Sequence, residues 1–222
     1  MTTVNQSSLL RPVVAGDSFR RTATLGCFED DAALAMGYLE AADVLTTHWK
    51  AHRPNDNLAL PILSNYRHGI ELALKAVIRR AARCLRADGD PDTELQQANL
   101  DAILAATHSI GGLAQRLTCY FARLDLEDSQ RLPDDVKEVL DALHALDDSG
   151  QWFRYSTVKK RSRMGKDRAL VLVPARPDQI NFDLEAVAEA LHNAGGIVLH
   201  GGLGVLDEYT EWQSYLRDAA GW

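Results

Sequence analysis

Leu63, Tyr66, Ile70, Leu74, Val77 and Ala81 recur at three- and four-residue steps, and no other feature constrains the chain as strongly. That spacing puts all six side chains on one face of an α-helix. The helix is expected to open near Pro61 and to run to about Arg86, where Ala87-Asp88-Gly89-Asp90-Pro91-Asp92 forms a turn cluster. Ala73 and Ala76 leave room for a close neighbour. A helix with such a face must bury it against other elements, and most of the remaining sequence also reads as helix.

Upstream, Asp30 and Asp31 sit in a first turn, where acids suit the positive end of the helix dipole. Leu34, Tyr38, Ala41, Leu45 and Trp49 then line the expected face, and Arg53-Pro54-Asn55-Asp56-Asn57 ends the helix. Residues 1–28 show no period and read as an N-terminal extension to a single domain, 29–222. Shorter helices are expected over Leu95–Ala106, from Ile110 through Leu113, Leu117, Tyr120, Phe121 and Leu124, and from Leu132-Pro133-Asp134-Asp135 to Ser149-Gly150. The last of these would bury Val136, Val139, Leu143 and Leu146, while Gly111 and Gly112 weaken the first turn of the one before.

The pattern changes at Gln151. Gln151–Val158 and Ala169–Val173 are rich in aromatic and β-branched residues, which predicts a β-hairpin with Lys159–Arg168 as a long basic loop. Helical spacing resumes at Asn181-Phe182-Asp183, continues through Leu184, Val187 and Leu191, and is expected to stop near Gly195. A final helix carries Leu206, Tyr209, Trp212 and Leu216. The expected fold class is therefore mainly all-α, an antiparallel helical bundle with one β-hairpin insertion at about 151–174.

Charge narrows the function. Twenty-four Lys and Arg face thirty-one Asp and Glu, a net charge of −7 that excludes a general nucleic-acid coat. Yet Arg154–Arg168 holds seven cations and one acid. No run approaches the roughly 20 apolar residues of a membrane span, and the N-terminus shows no secretory pattern. Cys27, Cys84 and Cys119 are few and unpatterned, as expected of a cytoplasmic protein without disulfides.

Four segments, in order, carry a resemblance. Asn65-Tyr66-Arg67-His68-Gly69-Ile70-Glu71-Leu72-Ala73-Leu74-Lys75-Ala76 resembles the second helix of HEPN domains, helical bundles of prokaryotic toxin and antiviral proteins. Thr107-His108-Ser109-Ile110, with Leu113, resembles a His-x-Leu helix start of that family. Trp152-Phe153-Arg154-Tyr155-Ser156 resembles its Phe-Arg-Tyr-Pro signature, with Ser156 in place of proline, and Asn181-Phe182-Asp183-Leu184 resembles the start of its last bundle helix. The likeness covers roughly Leu34 to Leu216 and implies a homodimeric, metal-independent RNase that needs no cofactor. HEPN RNases carry an arginine, four to six residues, then a histidine. None of the seven histidines here (His48, His52, His68, His108, His144, His192, His200) follows an arginine at that spacing; Lys137 and His144 have the spacing with lysine instead. The resemblance thus implies either a non-standard site or a non-catalytic interaction module that binds a partner protein or a nucleotide ligand.

Candidate catalytic residues are Arg154, His108, Glu71 and Lys75. Metal-independent cleavage needs a base, an acid and a cation beside the phosphate. Arg67, Glu71 and Lys75 lie four apart on one helix face, either as a solvated ion-pair ladder or as a polar cluster turned to a groove. His108 at a helix start either satisfies a free backbone N–H or acts as a base. His68 reads as structural or exposed, with a catalytic role as the alternative, and Arg154 as turned inward towards a phosphate or a buried acid. His48 and His52 lack further ligands, so no metal site is expected. Gly195, Gly196, Gly201, Gly202 and Gly204 read as turn glycines. Lys159, Lys160, Arg161, Arg163, Lys166 and Arg168 are the candidate RNA-binding cations, beside Trp152, Phe153 and Tyr155 for base stacking; the alternative is a solvated loop. Trp212 and Tyr215 fall on neighbouring but not identical faces of the last helix, so one of them is expected as surface for a partner.

Overall fold

A computed structural model describes residues 23–26, 29–161 and 170–219, with Lys160 and Arg161 described as backbone. Most of the expected N-terminal extension, and the tip of the basic segment, lie outside the described residues. The fold is a helical bundle with one antiparallel hairpin. Among the described residues no helix is long and apolar enough to cross a membrane.

The first helix, α1 (Asp31–Ala51), is capped by Asp30, whose side chain accepts from the Ala33 amide at 2.8 Å. The second, α2 (Ala59–Ala87), is the axis of the molecule. At 1.5 Å per residue it is roughly 44 Å long. All six residues of its stripe are buried, and so are Ile62, Leu72, Ile78, Cys84 and Leu85 on its other sides. A helix buried on most of its sides lies in the middle of a core, and its charged residues must then find partners within the protein. Accordingly α1, α4 (Ile110–Arg123), α6 (Leu184–Gly196) and α7 (Gly202–Ala219) all pack against it. The short α3 (Gln97–Ala106) leads into α4, and α5 (Asp134–Leu146) packs on α4 and α6.

Glycines set several of these packings. A Cβ on Gly69 of α2 would lie 2.9 Å from Leu39 Cγ of α1. The buried face of α1 is therefore Ala35, Leu39, Ala42 and Thr46, turned by one residue from the expected Leu34–Tyr38 stripe, whose two leading residues are exposed. Gly111 does not weaken α4 so much as admit α5: a Cβ there would meet the His144 ring at 2.6 Å. In α5, Leu140 is buried and Leu146 is exposed, the reverse of what spacing indicated at that helix end.

The last two helices do not separate at Gly195. Chain continues from α6 through a single π-helical stretch, Ile197–Gly201, into α7. Gly195 and Gly202 are contact glycines, since a Cβ on either would lie 2.8 Å from Leu39 or Val77. Thus the turn reading of these glycines is overturned: they let one long rod lie close against α1 and α2. Past that contact α7 buries Leu206 and Gln213 but leaves Trp212 and Leu216 exposed.

The hairpin starts later than its aromatic content suggested. Its strands are β1 (Thr157–Arg161) and β2 (Leu170–Pro174), in antiparallel register with Thr157 opposite Pro174 and Arg161 opposite Leu170. Residues 151–155 form a turn instead, in which the Arg154 and Tyr155 amides donate to the Gln151 carbonyl. Phe153 is buried in the bundle while Leu170 and Leu172 of β2 are exposed, so the turn is docked and the hairpin stands outside the core.

Candidate functional site

Glu71 lies in the middle of α2 and is 3 % exposed, so its charge must be met by protein. One turn before it, Arg67 Nη1 donates to Oε2 at 2.9 Å; one turn after it, Lys75 Nζ donates to Oε1 at 2.8 Å. Both cations are themselves buried. The reading of this spacing as a solvated ladder is thereby overturned. The polar stripe of α2 is covered by the α3–α4 junction and by the end of α5.

Each covering element contributes to the cluster. From the α3–α4 junction, His108 brings Nδ1 within 2.9 Å of Glu71 Oε1, and its carbonyl accepts from Arg67 Nη2 at 2.7 Å. The free α4 amide is met by Ser109, which accepts from Gly112, so His108 is not the cap. From the end of α5, Asp147 Oδ2 lies 3.2 Å from Arg67 Nε. Asp147 Oδ1 accepts from the Gln151 and Trp152 amides at 2.9 and 3.1 Å, which ties the turn to the buried cluster. Gly150 completes the closure. Its φ of +72° suits glycine, and a Cβ there would stand 2.8 Å from Arg67 Nη1.

Burial alone would raise the Glu71 pKa; hydrogen bonds from Lys75, His108 and Arg67 outweigh it and hold the carboxyl at about 2, below its ordinary 4.5. An ionised carboxylate only accepts, so His108 Nδ1 carries the proton of their hydrogen bond. His108 Nε2 has no hydrogen-bond partner among the described residues, and the ring is largely exposed. The buried charges of Arg67 and Lys75 balance those of Glu71 and Asp147, which lets the cluster persist away from water.

This cluster opens into a cavity of about 240 Å³ lined by Tyr38, Arg67, His68, Glu71, His108 and Arg154, among others. Lys75 stands behind Glu71 and outside the lining. His68 is half-buried, its ring nearly perpendicular to that of Tyr38 with centroids 4.3 Å apart. Burial lowers its pKa; Glu71 pulls it up, while Arg154, Lys75 and Arg67 push it further down. Arg154 is exposed, and its Nε donates to the Gly150 carbonyl. It has no carboxylate partner among the described residues. The expected buried acid beside Arg154 is therefore a correction: the arginine that holds buried carboxylates is Arg67.

The RNA candidates divide. Lys159 is exposed on β1, and Lys160 and Arg161 continue that strand, not a loop. Arg163, Lys166 and Arg168 lie outside the described residues. Of the aromatics, Phe153 is buried and unavailable for stacking, whereas Tyr155 is exposed beside Arg154. His48 and His52 stack on one another at 4.1 Å, with His52 Nδ1 at 2.9 Å from the His48 carbonyl. Among the described residues no group of three or more His, Cys, Asp or Glu side chains could hold a metal.

Asp147, Gly150, Tyr38 and His68 join the site without having been singled out for it. Asp147-Asp148-Ser149-Gly150 reads locally as a helix stop, and nothing in that spacing says that one aspartate turns inward. Fold and cavity define an all-α bundle whose charged centre opens beside two histidines. No protein-family model matches the chain, and neither curated proteins nor solved structures include a match to it.

Proposed function

We propose that this is a HEPN-like, RNA-engaging protein that cleaves RNA without a metal, through a site that differs from the Arg-x4-6-His pattern. One observation carries the reading: Glu71, His108 and Arg154, from three separate segments, meet at one cavity just before the cationic strand β1. His108 transfers a proton through Nε2 and Glu71 orients its ring. Lys75 keeps Glu71 ionised. Arg154, without a carboxylate partner among the described residues, neutralises the crowded phosphate. Lys159, Lys160, Arg161, Arg163, Lys166 and Arg168 hold the RNA backbone, and Tyr155 offers a stacking face. The acidic body orients a polyanion towards that arm. A homodimer and a cytoplasmic toxin or antiviral setting follow from the resemblance.

The test combines two variants. Arg154→Ala is expected to lower cleavage by about 100-fold or more while RNA affinity stays within severalfold, because a transition-state contact acts on rate. Reversing Lys159, Lys160, Arg161 and Arg163 to glutamate weakens RNA binding and flattens its salt dependence by about 0.7 per lost phosphate contact. Wild-type protein that shows no salt-dependent RNA binding overturns the reading; cleavage unchanged in Arg154→Ala overturns the role of that arginine.

A second reading, a non-catalytic module for a partner protein or nucleotide ligand, is favoured by a different feature. An apolar cavity of about 320 Å³ lies between α5, the docked turn and α6, lined by Leu63, Leu143, Phe153, Phe182 and Leu191. Its apolar lining suits an apolar group. RNA binding without any cleavage would support that reading over the first.

A further inference from the structure

We propose that His68 is the second proton-transfer residue of the cavity: it takes the proton of a ribose 2′-hydroxyl while His108 gives one to the departing 5′-oxygen. The substrate class is then a phosphodiester with a free 2′-hydroxyl. The inference rests on the RNase reading above and deepens it.

Geometry carries it. His68 and His108 come from different elements, α2 and the α3–α4 junction, and line one cavity with Arg154. The cavity they share has a volume of about 240 Å³, several times the roughly 30 Å³ of one water molecule, so a phosphodiester can enter it. The two histidines are held differently. His108 is tied through Nδ1 to Glu71, so an imidazolium there keeps that hydrogen bond and still offers its Nε2 proton. His68 is tied to no carboxylate among the described residues; its ring stands nearly perpendicular to that of Tyr38 from α1. The charges around it are Glu71, Lys75 and Arg67 on its own helix and Arg154 from the turn, with His108 lining the same cavity. Burial and the three cations favour its neutral form against the single carboxylate. A neutral imidazole beside an arginine suits a base, and a carboxylate-bound imidazolium suits an acid.

The step balances with these two groups. The 2′-oxygen forms a bond to phosphorus as its proton passes to His68. The bond from phosphorus to the 5′-oxygen breaks as that oxygen takes the proton of His108. The products are a 2′,3′-cyclic phosphate and a 5′-hydroxyl. Arg154 meets the charge that builds on the non-bridging oxygens.

The experiment compares a single-stranded RNA oligonucleotide with the same oligonucleotide carrying a 5′-bridging sulfur at one linkage, using the full chain. A thiol has a pKa of about 8.5, so its thiolate departs without an acid. On ordinary RNA, His68→Gln and His108→Gln are each expected to lose at least about 100-fold in kcat. The sulfur linkage is expected to restore His108→Gln to within about tenfold of wild type and to leave His68→Gln impaired. A 2′-deoxy substitution at the cut should abolish cleavage in every protein. Wild type that leaves RNA intact overturns the RNase reading and this inference with it. Wild-type cleavage together with His68→Gln within about threefold of it overturns the inference alone. Equal rescue of both variants, or cleavage of the 2′-deoxy linkage, overturns the assigned roles. Should His68→Gln not fold, the wild type decides: the sulfur linkage must remove the alkaline limb of its pH profile and keep the acidic one, and persistence of both limbs rejects the scheme.

Discussion

Glu71 is answered by three donors, and each donor depends on it. Arg67 and Lys75 are buried with two carboxylates between them, so removal of one carboxylate leaves charge without compensation. Glu71→Gln is expected to cost about 3–5 kcal/mol in urea denaturation at neutral pH. The same residue sets an acid limit. Its folded pKa of about 2 lies below the ordinary 4.5, so its contribution is fully present above pH 4.5 and is lost as pH falls towards 2. That loss is on the order of 3 kcal/mol, from about 1.4 kcal/mol per pKa unit. Urea midpoints followed from pH 6 to pH 2.5 check it, about the span over which the two values separate. The Glu71-dependent part of the slope should vanish in Glu71→Gln, and equal slopes in both proteins would contradict the assignment.

At the scale of elements, small residues decide which faces meet. Gly195 and Gly202 bracket the π-helical stretch, and each lies where a β-carbon would enter a side chain of α1 or α2. Removing that allowance should separate the rod from the axis. Gly202→Leu is expected to destabilise by about 1–3 kcal/mol, read as a lowered Tm, because added atoms must displace Val77. Gly204 faces open space, so Gly204→Ala makes a control that should not lower Tm. The hairpin obeys a different rule. Its strands pair with each other, and its aliphatic residues Leu170 and Leu172 remain exposed, so its place is set by the docked turn that precedes it. Asp147 is the hinge of that arrangement, since one carboxylate holds both the buried Arg67 and the amides of the turn.

For the whole molecule, α2 gives a single core, and α7 leaves an apolar edge. Trp212 is 54 % and Tyr215 71 % exposed, with Leu216 also exposed. Large exposed apolar side chains at one edge offer surface to a partner, and the homodimer proposed above would use a second copy to cover it. Light scattering at about 50 micromolar, suited to weak association, is expected to give a dimer for the wild type and a monomer for Trp212→Glu with Tyr215→Glu. A wild-type monomer at that concentration overturns the assembly.

Spacing along the chain by itself determined the helical class, the axis helix, the face of α4 and the presence of a hairpin near Thr157–Pro174. These are local properties: an apolar period of three to four residues specifies a helix and its buried side wherever the helix ends up. Tertiary structure alone decided the rest. Arg67, Glu71 and Lys75 have the same four-residue spacing whether their face meets water or protein, and only the docking of His108 and Asp147 over it made a buried charged centre. Gly195 and Gly202 have the same composition in a turn as in a helix contact, and only Leu39 and Val77, from distant parts of the chain, chose the contact. The site was legible as residue types, but its closure depended on which elements cover one another, because burial is a property of neighbours distant in sequence.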